Sequence, residues 1–310
     1  MTLLFVSQID DPESWVVEIT DRRPDLPVRI WPDTGDPAAV LYALAWRPPP
    51  GALTRLPNLK AIFSLGAGVD GLADTPDALP PGVPIVRMVE SGLSAGMAEY
   101  IVWQVLDWHR HGRVYRSQQA DRAWVRHAPL LADERRVGIL GLGVLGSNAA
   151  RMLGAVGFRV AGWSRTEKHL DGVVSFYGAE GLTQIAARSD ILVNLLPLTS
   201  DTRGLINARL IAQMPAGAVL INAARGAHVV DADVLAALDQ GHLAGATLDV
   251  FADEPLAADH PFWAHPKITV TPHIAAITLA RTGAAAVVDQ INRLERGEPL
   301  RHVVDPARGY

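Results

Sequence analysis

The sequence contains no cysteine among its 310 residues. Disulfide bonds, thiolate nucleophiles and zinc–thiolate sites are therefore excluded, and we expect no metal site. A chain without cysteine suits a reducing compartment, so we expect the protein to be located in the cytoplasm.

Long basic runs and long apolar runs are missing as well. The formal net charge is −5, and the lack of a basic stretch argues against a nucleic-acid partner. No apolar segment approaches the roughly 18 residues that a helix needs to cross a bilayer. Met1–Asp10 also lacks the basic start of a signal peptide. We therefore expect neither a nucleic acid nor a membrane among the partners.

A glycine-rich turn follows an apolar, strand-like segment and precedes a helical one, in the pattern Gly141-x-Gly143-x-x-Gly146. This context is typical of dinucleotide binding. Gly141 permits the tight turn, Gly143 lets the backbone approach a pyrophosphate, and Gly146 lets the helix lie close to the strand. The helix start, including Val144 and Leu145, offers N–H groups to the phosphates. The alternative is a glycine turn that binds no ligand.

The residues after the second predicted strand, Phe158 to Trp163, indicate which dinucleotide binds. NAD-binding proteins place an acidic residue there to hold the ribose 2′-hydroxyl, whereas this chain has Ser164, Arg165 and Thr166. The Arg165 guanidinium would attract a 2′-phosphate, and the two hydroxyls can donate hydrogen bonds to it. We therefore predict NADPH as the cofactor, with NADH possible but weaker. A solvated surface arginine is the alternative.

Three later loops each follow a predicted strand and carry a polar side chain suited to catalysis. They supply Arg225, Glu254 and His273, and ligands of doubly wound sheets bind beyond the carboxyl ends of the strands. An arginine to bind and polarise the substrate, a histidine to deliver a proton and a glutamate to orient the histidine can together reduce a 2-keto acid. Taken singly, each residue could equally be a solvated surface or loop residue. Other histidines, among them His228 and His242, are expected to have no catalytic role.

Alternating strand-like and helical segments predict an α/β fold with two Rossmann-like domains, doubly wound parallel sheets with a cleft between them. At 310 residues, the chain exceeds the size at which a single core stops growing. Residues 1–99 and 279–310 are predicted to form a discontinuous substrate-binding domain, and residues 100–278 the dinucleotide-binding domain. Near the boundary, residues 97–112 are predicted to be helical and residues 113–135 to form a loop or arm.

These motifs resemble those of the D-isomer-specific 2-hydroxyacid dehydrogenase family, and most of all its bacterial branch that reduces glyoxylate and hydroxypyruvate. The resemblance extends from Trp46-Arg47-Pro48-Pro49 to Arg308-Gly309-Tyr310. The motifs that carry it are Leu65-Gly66-Ala67-Gly68-Val69-Asp70, the glycine fingerprint, Leu196-Pro197-Leu198-Thr199, Asn222-Ala223-Ala224-Arg225-Gly226, Leu248-Asp249-Val250-Phe251 and Thr271-Pro272-His273-Ile274-Ala275-Ala276.

The resemblance implies roles for individual residues. Arg225, Glu254 and His273 match the catalytic trio. The further residues matched to cofactor binding are Leu196, Pro197, Thr202, Ala223 and Asp249, the last lying near the nicotinamide amide. The backbone N–H groups of Gly66, Ala67, Gly68 and Val69, together with Arg225, match the site for the substrate carboxylate. The resemblance also implies a homodimer through the cofactor domain, with residues 113–135 as the arm.

The substrate is predicted to be a small 2-keto acid, such as glyoxylate or hydroxypyruvate. Trp46 would limit the size of its pocket, although an ordinary core tryptophan is an equal alternative. Two other functions stay open. One is a dehydrogenase for a larger 2-keto acid, and the other is a nucleotide-sensing scaffold that acts through partner proteins.

Overall fold

The computed structural model describes residues 1–73 and 79–305, so the predicted match at Arg308-Gly309-Tyr310 lies outside the described residues. The chain forms two compact units, one from Met1–Leu93 with Ile277–Tyr310 and the other from Ser94–Ala276. These units divide a few residues before the predicted positions. A single helix runs through the first division, so no turn marks it in the sequence.

The first unit is built on a parallel sheet with the strand order β2-β1-β3-β4-β5. Its elements are β1 (Thr2–Val6), α1 (Pro12–Arg22), β2 (Val28–Ile30), β3 (Val40–Ala45), β4 (Ala61–Ser64), α2 (Asp70–Ala73), β5 (Ile85–Val86) and, near the end of the chain, α10 (Ala280–Glu295). The central strands are mainly apolar and almost entirely buried, as expected for a parallel sheet that is covered on both faces.

Helices α1 and α10 cover one face of this sheet together. Asp11 caps α1 by accepting from two backbone N–H groups, and Pro12 occupies its first turn. The buried face of α1 carries Trp15 and Ile19, which pack in the same core as Val287 and Ile291 of α10. The sequence segment after residue 279 therefore packs within the first unit.

The second unit is built on a larger parallel sheet with the strand order β12-β11-β10-β9-β6-β7-β8. Its strands are β6 (Arg136–Leu140), β7 (Arg159–Ser164), β8 (Val174–Tyr177), β9 (Ile191–Asn194), β10 (Ala218–Asn222), β11 (Leu243–Leu248) and β12 (Ile268–Val270). Its helices are α3 (Ser91–His109, which begins in the first unit), α4 (Gly112–Ala120), α5 (Val144–Val156), α6 (Gly178–Arg188), α7 (Ala208–Ile211), α8 (Asp231–Asp239) and α9 (Pro261–Ala264). The prediction of α/β architecture on two doubly wound parallel sheets is confirmed.

The strand order of the second unit reverses between β6 and β9, which lie side by side although β7, β8 and α6 separate them in the chain. Such a reversal opens a crevice at the carboxyl ends of the two strands. The glycine fingerprint follows β6, and the segment that begins at Leu195 follows β9. Both predicted cofactor segments therefore lie at the topological switch point.

The helix predicted over residues 97–112 is present with different bounds, and the loop predicted over residues 113–135 was wrong in its first part. The helix expected over residues 97–112 begins at Ser91 and ends at His109. The segment expected as a loop over residues 113–135 begins with α4, and only its later part is irregular. Arg113 explains why α4 forms: its guanidinium donates to the carbonyl oxygens of Pro266, Lys267 and Ile268 and so anchors the helix to the sheet edge.

Across residues 1–73 and 79–305, none of the helices combines the length and the apolar character needed to span a membrane. The same residues contain no cluster of histidine, aspartate and glutamate side chains that could hold a metal ion.

Candidate active site

The glycine fingerprint forms the turn between β6 and α5. Gly141 has a φ of +102°, and a Cβ there would lie 2.7 Å from the carbonyl oxygen of Leu195. At Gly146 a Cβ would lie 1.9 Å from the carbonyl oxygen of Gly141, so a side chain at either position would clash with backbone. Among the described residues, no atom lies within 4 Å of the Cβ position of Gly143. The turn is thus tightly packed on its protein side and open at Gly143.

The amino end of α5 faces this open position. Gly143 is the N-cap residue, and within the described part of the chain no side chain caps the helix. The N–H groups of Val144, Leu145 and Gly146 have no intrahelical acceptors. Together with the helix dipole they favour a bound anion such as a pyrophosphate.

The turn after β7 carries the residues predicted to recognise a 2′-phosphate. Arg165 and Thr166 are exposed there. The Ser164 hydroxyl donates to the carbonyl oxygen of Thr166 at 2.7 Å, so its hydrogen is already used inside the turn. Lys168 donates to the carbonyl oxygen of Leu142 at 2.7 Å and therefore lies against the glycine turn. This end of the site therefore carries the positive side chains of Arg165 and Lys168, and residues 163–166 include no carboxylate.

Two buried asparagines join the ends of β9 and β10, and the sequence analysis gave neither of them a role. Asn194 donates through Nδ2 to Asn222 Oδ1 at 3.0 Å and accepts from the Leu196 N–H at 3.3 Å. Asn222 in turn donates to the carbonyl oxygen of Arg225 at 3.1 Å. The Ala223 N–H donates to the carbonyl oxygen of Asn194 at 3.3 Å. The two amides thereby fix the loops that carry predicted cofactor and catalytic residues.

The loop after β9 is closed by Thr202. Its hydroxyl donates to the carbonyl oxygen of Pro197 at 2.8 Å and accepts from the Thr199 N–H at 2.8 Å. Leu196 is buried, whereas Pro197 is exposed. Thr202 therefore holds the loop in shape, and the exposed surface that the loop presents is that of Pro197.

Arg225 follows β10 and is brought to the loop after β11 by a close backbone approach. A Cβ at Gly226 would lie 1.8 Å from the carbonyl carbon of Phe251, which only glycine allows. The guanidinium of Arg225 donates through Nη1 to the carbonyl oxygen of Ala224 at 2.6 Å. Its charge lowers the pKa of Glu254, which places the two side chains in one electrostatic environment.

Glu254 and His273 form a direct pair. His273 Nδ1 lies 2.7 Å from Glu254 Oε2, and the Phe251 N–H donates to Glu254 Oε1 at 2.9 Å. Burial raises the pKa of Glu254, whereas the hydrogen bonds from His273 and the Phe251 N–H lower it. The charges of His273 and Arg225 lower it further, so that the pKa of this carboxyl lies below its usual value. An ionised carboxylate only accepts, so Nδ1 carries a proton and Nε2 is the nitrogen that can exchange a proton with a substrate.

The backbone at His273 adopts a φ of +54°, which is uncommon for a residue with a side chain. Asp249 holds it there: the Asp249 carbonyl oxygen accepts from the His273 N–H at 2.8 Å. One carboxylate oxygen accepts from the Thr271 hydroxyl at 2.6 Å and the Ile274 N–H at 2.9 Å, and the other from the Ala275 N–H at 2.9 Å. Asp249 is fully buried. The contacts of this residue, predicted to lie near the nicotinamide, fix the histidine loop.

The first unit carries the loop predicted to hold the substrate carboxylate. Ser64 closes it, because its Oγ donates to the carbonyl oxygen of Gly68 at 3.0 Å and accepts from the Gly66 N–H at 3.2 Å. The half-buried Trp46 ring lies against this loop, since a Cβ at Gly66 would be 3.1 Å from it and a Cβ at Gly71 2.5 Å. Trp46 is thus neither fully buried nor fully exposed, and it lies beside the loop that was predicted to hold the substrate carboxylate.

Comparisons with known proteins agree with this geometry. The family described as D-isomer specific 2-hydroxyacid dehydrogenase, NAD binding domain, matches residues 102–275. Glyoxylate/hydroxypyruvate reductase A from Yersinia enterocolitica is 43% identical over 314 aligned residues that cover all of both chains.

Two solved structures are similar in fold over the full length. A D-isomer specific 2-hydroxyacid dehydrogenase from Xanthobacter autotrophicus, in complex with NADPH and MES, has a TM-score of 0.96 and 45% identity and covers 100% of this chain and 99% of its own. An NADPH-dependent glyoxylate/hydroxypyruvate reductase from Sinorhizobium meliloti, in complex with NADP and sulfate, has a TM-score of 0.94, 40% identity and complete coverage of both chains.

Proposed function

The chain belongs to the D-isomer specific 2-hydroxyacid dehydrogenase family, and we propose that it uses NADPH to reduce small 2-keto acids such as glyoxylate and hydroxypyruvate to 2-hydroxy acids. The observation that carries this proposal is the contact of 2.7 Å between His273 and Glu254, in the electrostatic range of Arg225 and at the sheet end that bears the glycine fingerprint. The named substrates and cofactor of the similar proteins support it.

The fingerprint turn fits a dinucleotide. Its open side at Gly143 and the uncapped start of α5 match a pyrophosphate in shape and charge. When bound, the reduced nicotinamide supplies a hydride to the keto carbon of the substrate. The exposed Arg165, with Lys168 beside the glycine turn, favours a cofactor that carries a 2′-phosphate.

The catalytic residues act on the keto oxygen. Arg225 binds and polarises the substrate and stabilises the negative charge that develops on this oxygen. His273 donates the proton from Nε2 and is left neutral. Glu254 keeps the ring oriented by accepting from Nδ1. The oxygen thus becomes the hydroxyl of the product.

We assign the substrate carboxylate to Arg225 and to the loop of the first unit. The Gly66 N–H donates to Ser64, so the donors assigned to the carboxylate are those of Ala67, Gly68 and Val69. Trp46 is assigned to the wall that limits the substrate to two or three carbons, because its ring rests on this same loop.

The test is a kinetic assay that follows the absorbance of the reduced nicotinamide with NADPH or NADH. Glyoxylate and hydroxypyruvate should be reduced with NADPH, and phenylpyruvate should be a poor substrate. Turnover of the bulky acid alone would instead assign the chain to larger 2-keto acids. Tight NADPH binding without turnover of any 2-keto acid would contradict the proposal and favour the nucleotide-sensing alternative.

We further propose a homodimer, whose interface includes the segment over residues 113–135. Large apolar side chains are exposed there, with Trp124 at 95%, Leu131 at 67% and Val125 at 53% relative exposure. An open groove of about 450 Å³ lies beside Trp124 and Tyr115. Exposed apolar surface of this kind marks interaction sites. The cytoplasmic location remains a prediction.

A further inference from the structure

His228 is fully buried three residues after Arg225, in the short 3₁₀ helix Gly226–His228. Its two ring nitrogens contact two different loops of the candidate site. Nε2 lies 3.2 Å from the carbonyl oxygen of Pro197, and Nδ1 lies 3.2 Å from the backbone nitrogen of Arg225. The ring therefore bridges the loop of a catalytic residue and the loop assigned to the cofactor.

The contacts determine where the ring proton lies. The Pro197 carbonyl oxygen can only accept, so Nε2 must carry a proton. In the neutral ring Nδ1 is then an acceptor, which suits the Arg225 N–H. The carbonyl oxygen of Arg225 also lies 3.0 Å from Nδ1, and it would be an acceptor only for the cationic ring. That oxygen already receives the Asn222 amide at 3.1 Å, so it does not require the ring proton.

Burial and charge favour the neutral ring as well. Burial lowers the pKa of His228 most strongly, and the positive charges of Arg225 and Arg203 lower it further. Hydrogen bonds to the carbonyl oxygens of Pro197 and Arg225 oppose this in part, but the net direction is downward. At neutral pH the ring is thus a donor on one side and an acceptor on the other.

The backbone of Arg225 is consequently held on both sides by side chains. His228 accepts from its N–H, and Asn222 donates to its carbonyl oxygen. Gly226, the next residue, lies directly on the backbone of Phe251. Because these groups fix the backbone of Arg225, they also fix the direction of its Cα–Cβ bond. A fixed direction is needed if the guanidinium is to contact a small substrate reproducibly.

From this arrangement we infer that His228 is a positioning residue of the reductase site. Through Nδ1 it sets the backbone of Arg225 and hence substrate binding, and through Nε2 it sets the Pro197 loop and hence cofactor binding. The inference rests on the proposed function, because that function assigns substrate binding to Arg225 and cofactor binding to the Pro197 loop.

Two conservative variants separate the two ring contacts. His228→Asn places an oxygen near the position of Nδ1 and retains the acceptor for Arg225, but it cannot reach Pro197. His228→Gln places an NH₂ group near the position of Nε2 and retains the donor to Pro197, but it loses the acceptor. The matched control is His242, whose Nε2 also lies 2.9 Å from a loop carbonyl, that of Ile211, in the same unit.

Steady-state kinetics should split the two variants. His228→Gln is expected to lower kcat/KM for the 2-keto acid by about tenfold, because a misplaced catalytic group costs one to two orders of magnitude, with the KM for NADPH nearly unchanged. His228→Asn should raise the KM for NADPH and largely spare kcat. His242→Asn and His242→Gln should change neither value. Equal losses in both His228 variants, in proportion to their loss of thermal stability, would overturn the inference.

Two further measurements keep the inference separate from the proposed function. If the wild-type protein reduces no 2-keto acid, the proposed function fails, and fluorescence titration with NADPH still tests the Pro197 contact in His228→Asn against His228→Gln. If both variants fail to fold, nitrogen NMR of the ¹⁵N-histidine-labelled wild-type protein decides. A neutral Nε2–H ring at neutral pH supports the inference, and a cationic or Nδ1–H ring overturns it.

Discussion

At the scale of single residues, the proposed chemistry depends on one carboxylate that accepts two hydrogen bonds. Glu254 receives His273 Nδ1 on one oxygen and the Phe251 N–H on the other. The pKa of Glu254 lies below its usual value of 4.5, so this group is ionised at neutral pH. It therefore presents a negative charge to the histidine there.

Glu254→Gln tests this assignment. The neutral amide offers His273 Nδ1 an acceptor without a charge, and losing a charge-assisted hydrogen bond costs about 1.5–3 kcal/mol. We therefore expect Glu254→Gln to lower kcat/KM for glyoxylate by about tenfold or more. Steady-state kinetics with both proteins measure this value. Equal values would contradict the pairing, and Asp253→Asn at the neighbouring position is the control.

Arg165 tests the choice of cofactor. Removing a charge-assisted hydrogen bond costs about 1.5–3 kcal/mol, so Arg165→Ala should raise the KM for NADPH by about tenfold or more. The KM for NADH should change little, because NADH carries no 2′-phosphate. The control is Arg209→Ala, an exposed arginine on α7. Equal effects of Arg165→Ala on both cofactors would remove the assignment.

Residue identities could be predicted where they carry chemistry or special backbone geometry. The fingerprint glycines and Arg225, Glu254 and His273 stood out in the sequence because few residue types can serve those purposes. The uses of Ser164 and Thr202 could not be seen, since only coordinates show that both hydroxyls donate to their own loops. Sequence patterns identify donors but not their acceptors.

At the scale of elements, the histidine loop is tied to helix α3 by a buried chain of hydroxyls. Tyr100 and Thr271 contact each other through their oxygens at 2.7 Å, and Thr271 donates to Asp249 at 2.6 Å. Burial raises the pKa of Tyr100, and the charge of Asp249 raises it further, so the phenol is neutral. This series of hydrogen-bonded hydroxyls therefore fixes the loop that carries His273.

Thr271→Val is the conservative test of this chain. The variant keeps the shape and removes the hydroxyl, which leaves two buried oxygens without one of their partners. A loss of about 1–3 kcal/mol in the free energy of unfolding is expected, together with a lower kcat, because the histidine loop loosens. Chemical denaturation and kinetics measure the two effects. The control Thr54→Val, at an exposed position, should change neither the stability nor kcat. If Thr271→Val also left both values unchanged, the hydrogen-bonded hydroxyls would not be what fixes the histidine loop.

Element boundaries were harder to predict than strands with long apolar runs. Strand β7 lies within one residue of its predicted bounds, because Arg159–Ser164 is largely buried. Helix α1 was overlooked because its polar residues obscure the pair Trp15 and Ile19, although Asp11 and Pro12 give a clear start signal. Helix α4 buries none of its side chains, so no apolar periodicity predicted it.

At the scale of the whole molecule, the strand order of each sheet follows from chain order and handedness rules more than from individual residues. Alternating strand and helix signals predicted doubly wound sheets, but the reversal of strand order between β6 and β9 was not predicted. The sequence does not mark where one compact unit ends, because α3 is continuous through the division at Leu93. The pattern of apolar residues predicts which residues of α3 are buried. It does not predict which of the two units each part of the helix belongs to.

The stability of the second unit should depend on pH through two buried histidines. Burial lowers the pKa of both His109 and His228, and neighbouring positive charges lower both further. Below the ordinary histidine value of 6.5, the unfolded chain takes up protons that the folded chain does not. Stability should therefore fall as the pH drops below this value, by at most about 1.4 kcal/mol per pH unit for each group.

The variant His109→Phe measures how much His109 contributes to this loss of stability at low pH. His109 packs edge-on against Phe158, so phenylalanine retains the ring contact and cannot bind a proton. Urea unfolding at a series of pH values should give a shallower decline below pH about 6.5 for the variant than for the wild type. The exposed His169→Gln serves as the control. Parallel curves for wild type and His109→Phe would show that the folded and unfolded chains bind the His109 proton equally well, which would contradict this prediction.

The proposed homodimer concerns the assembly of two copies of the whole molecule. Trp124 and Leu131 expose apolar surface that a single copy leaves in water, and symmetric pairing of two copies would bury it. Trp124→Asp with Leu131→Asp should therefore convert a dimer into a monomer in sedimentation equilibrium. Val17→Asp, which replaces an exposed apolar residue of α1 in the other unit, should leave the dimer intact. A wild-type protein that sediments as a monomer would contradict the dimer and leave the catalytic assignment untouched, because Arg225, Glu254 and His273 all lie within one unit of one chain.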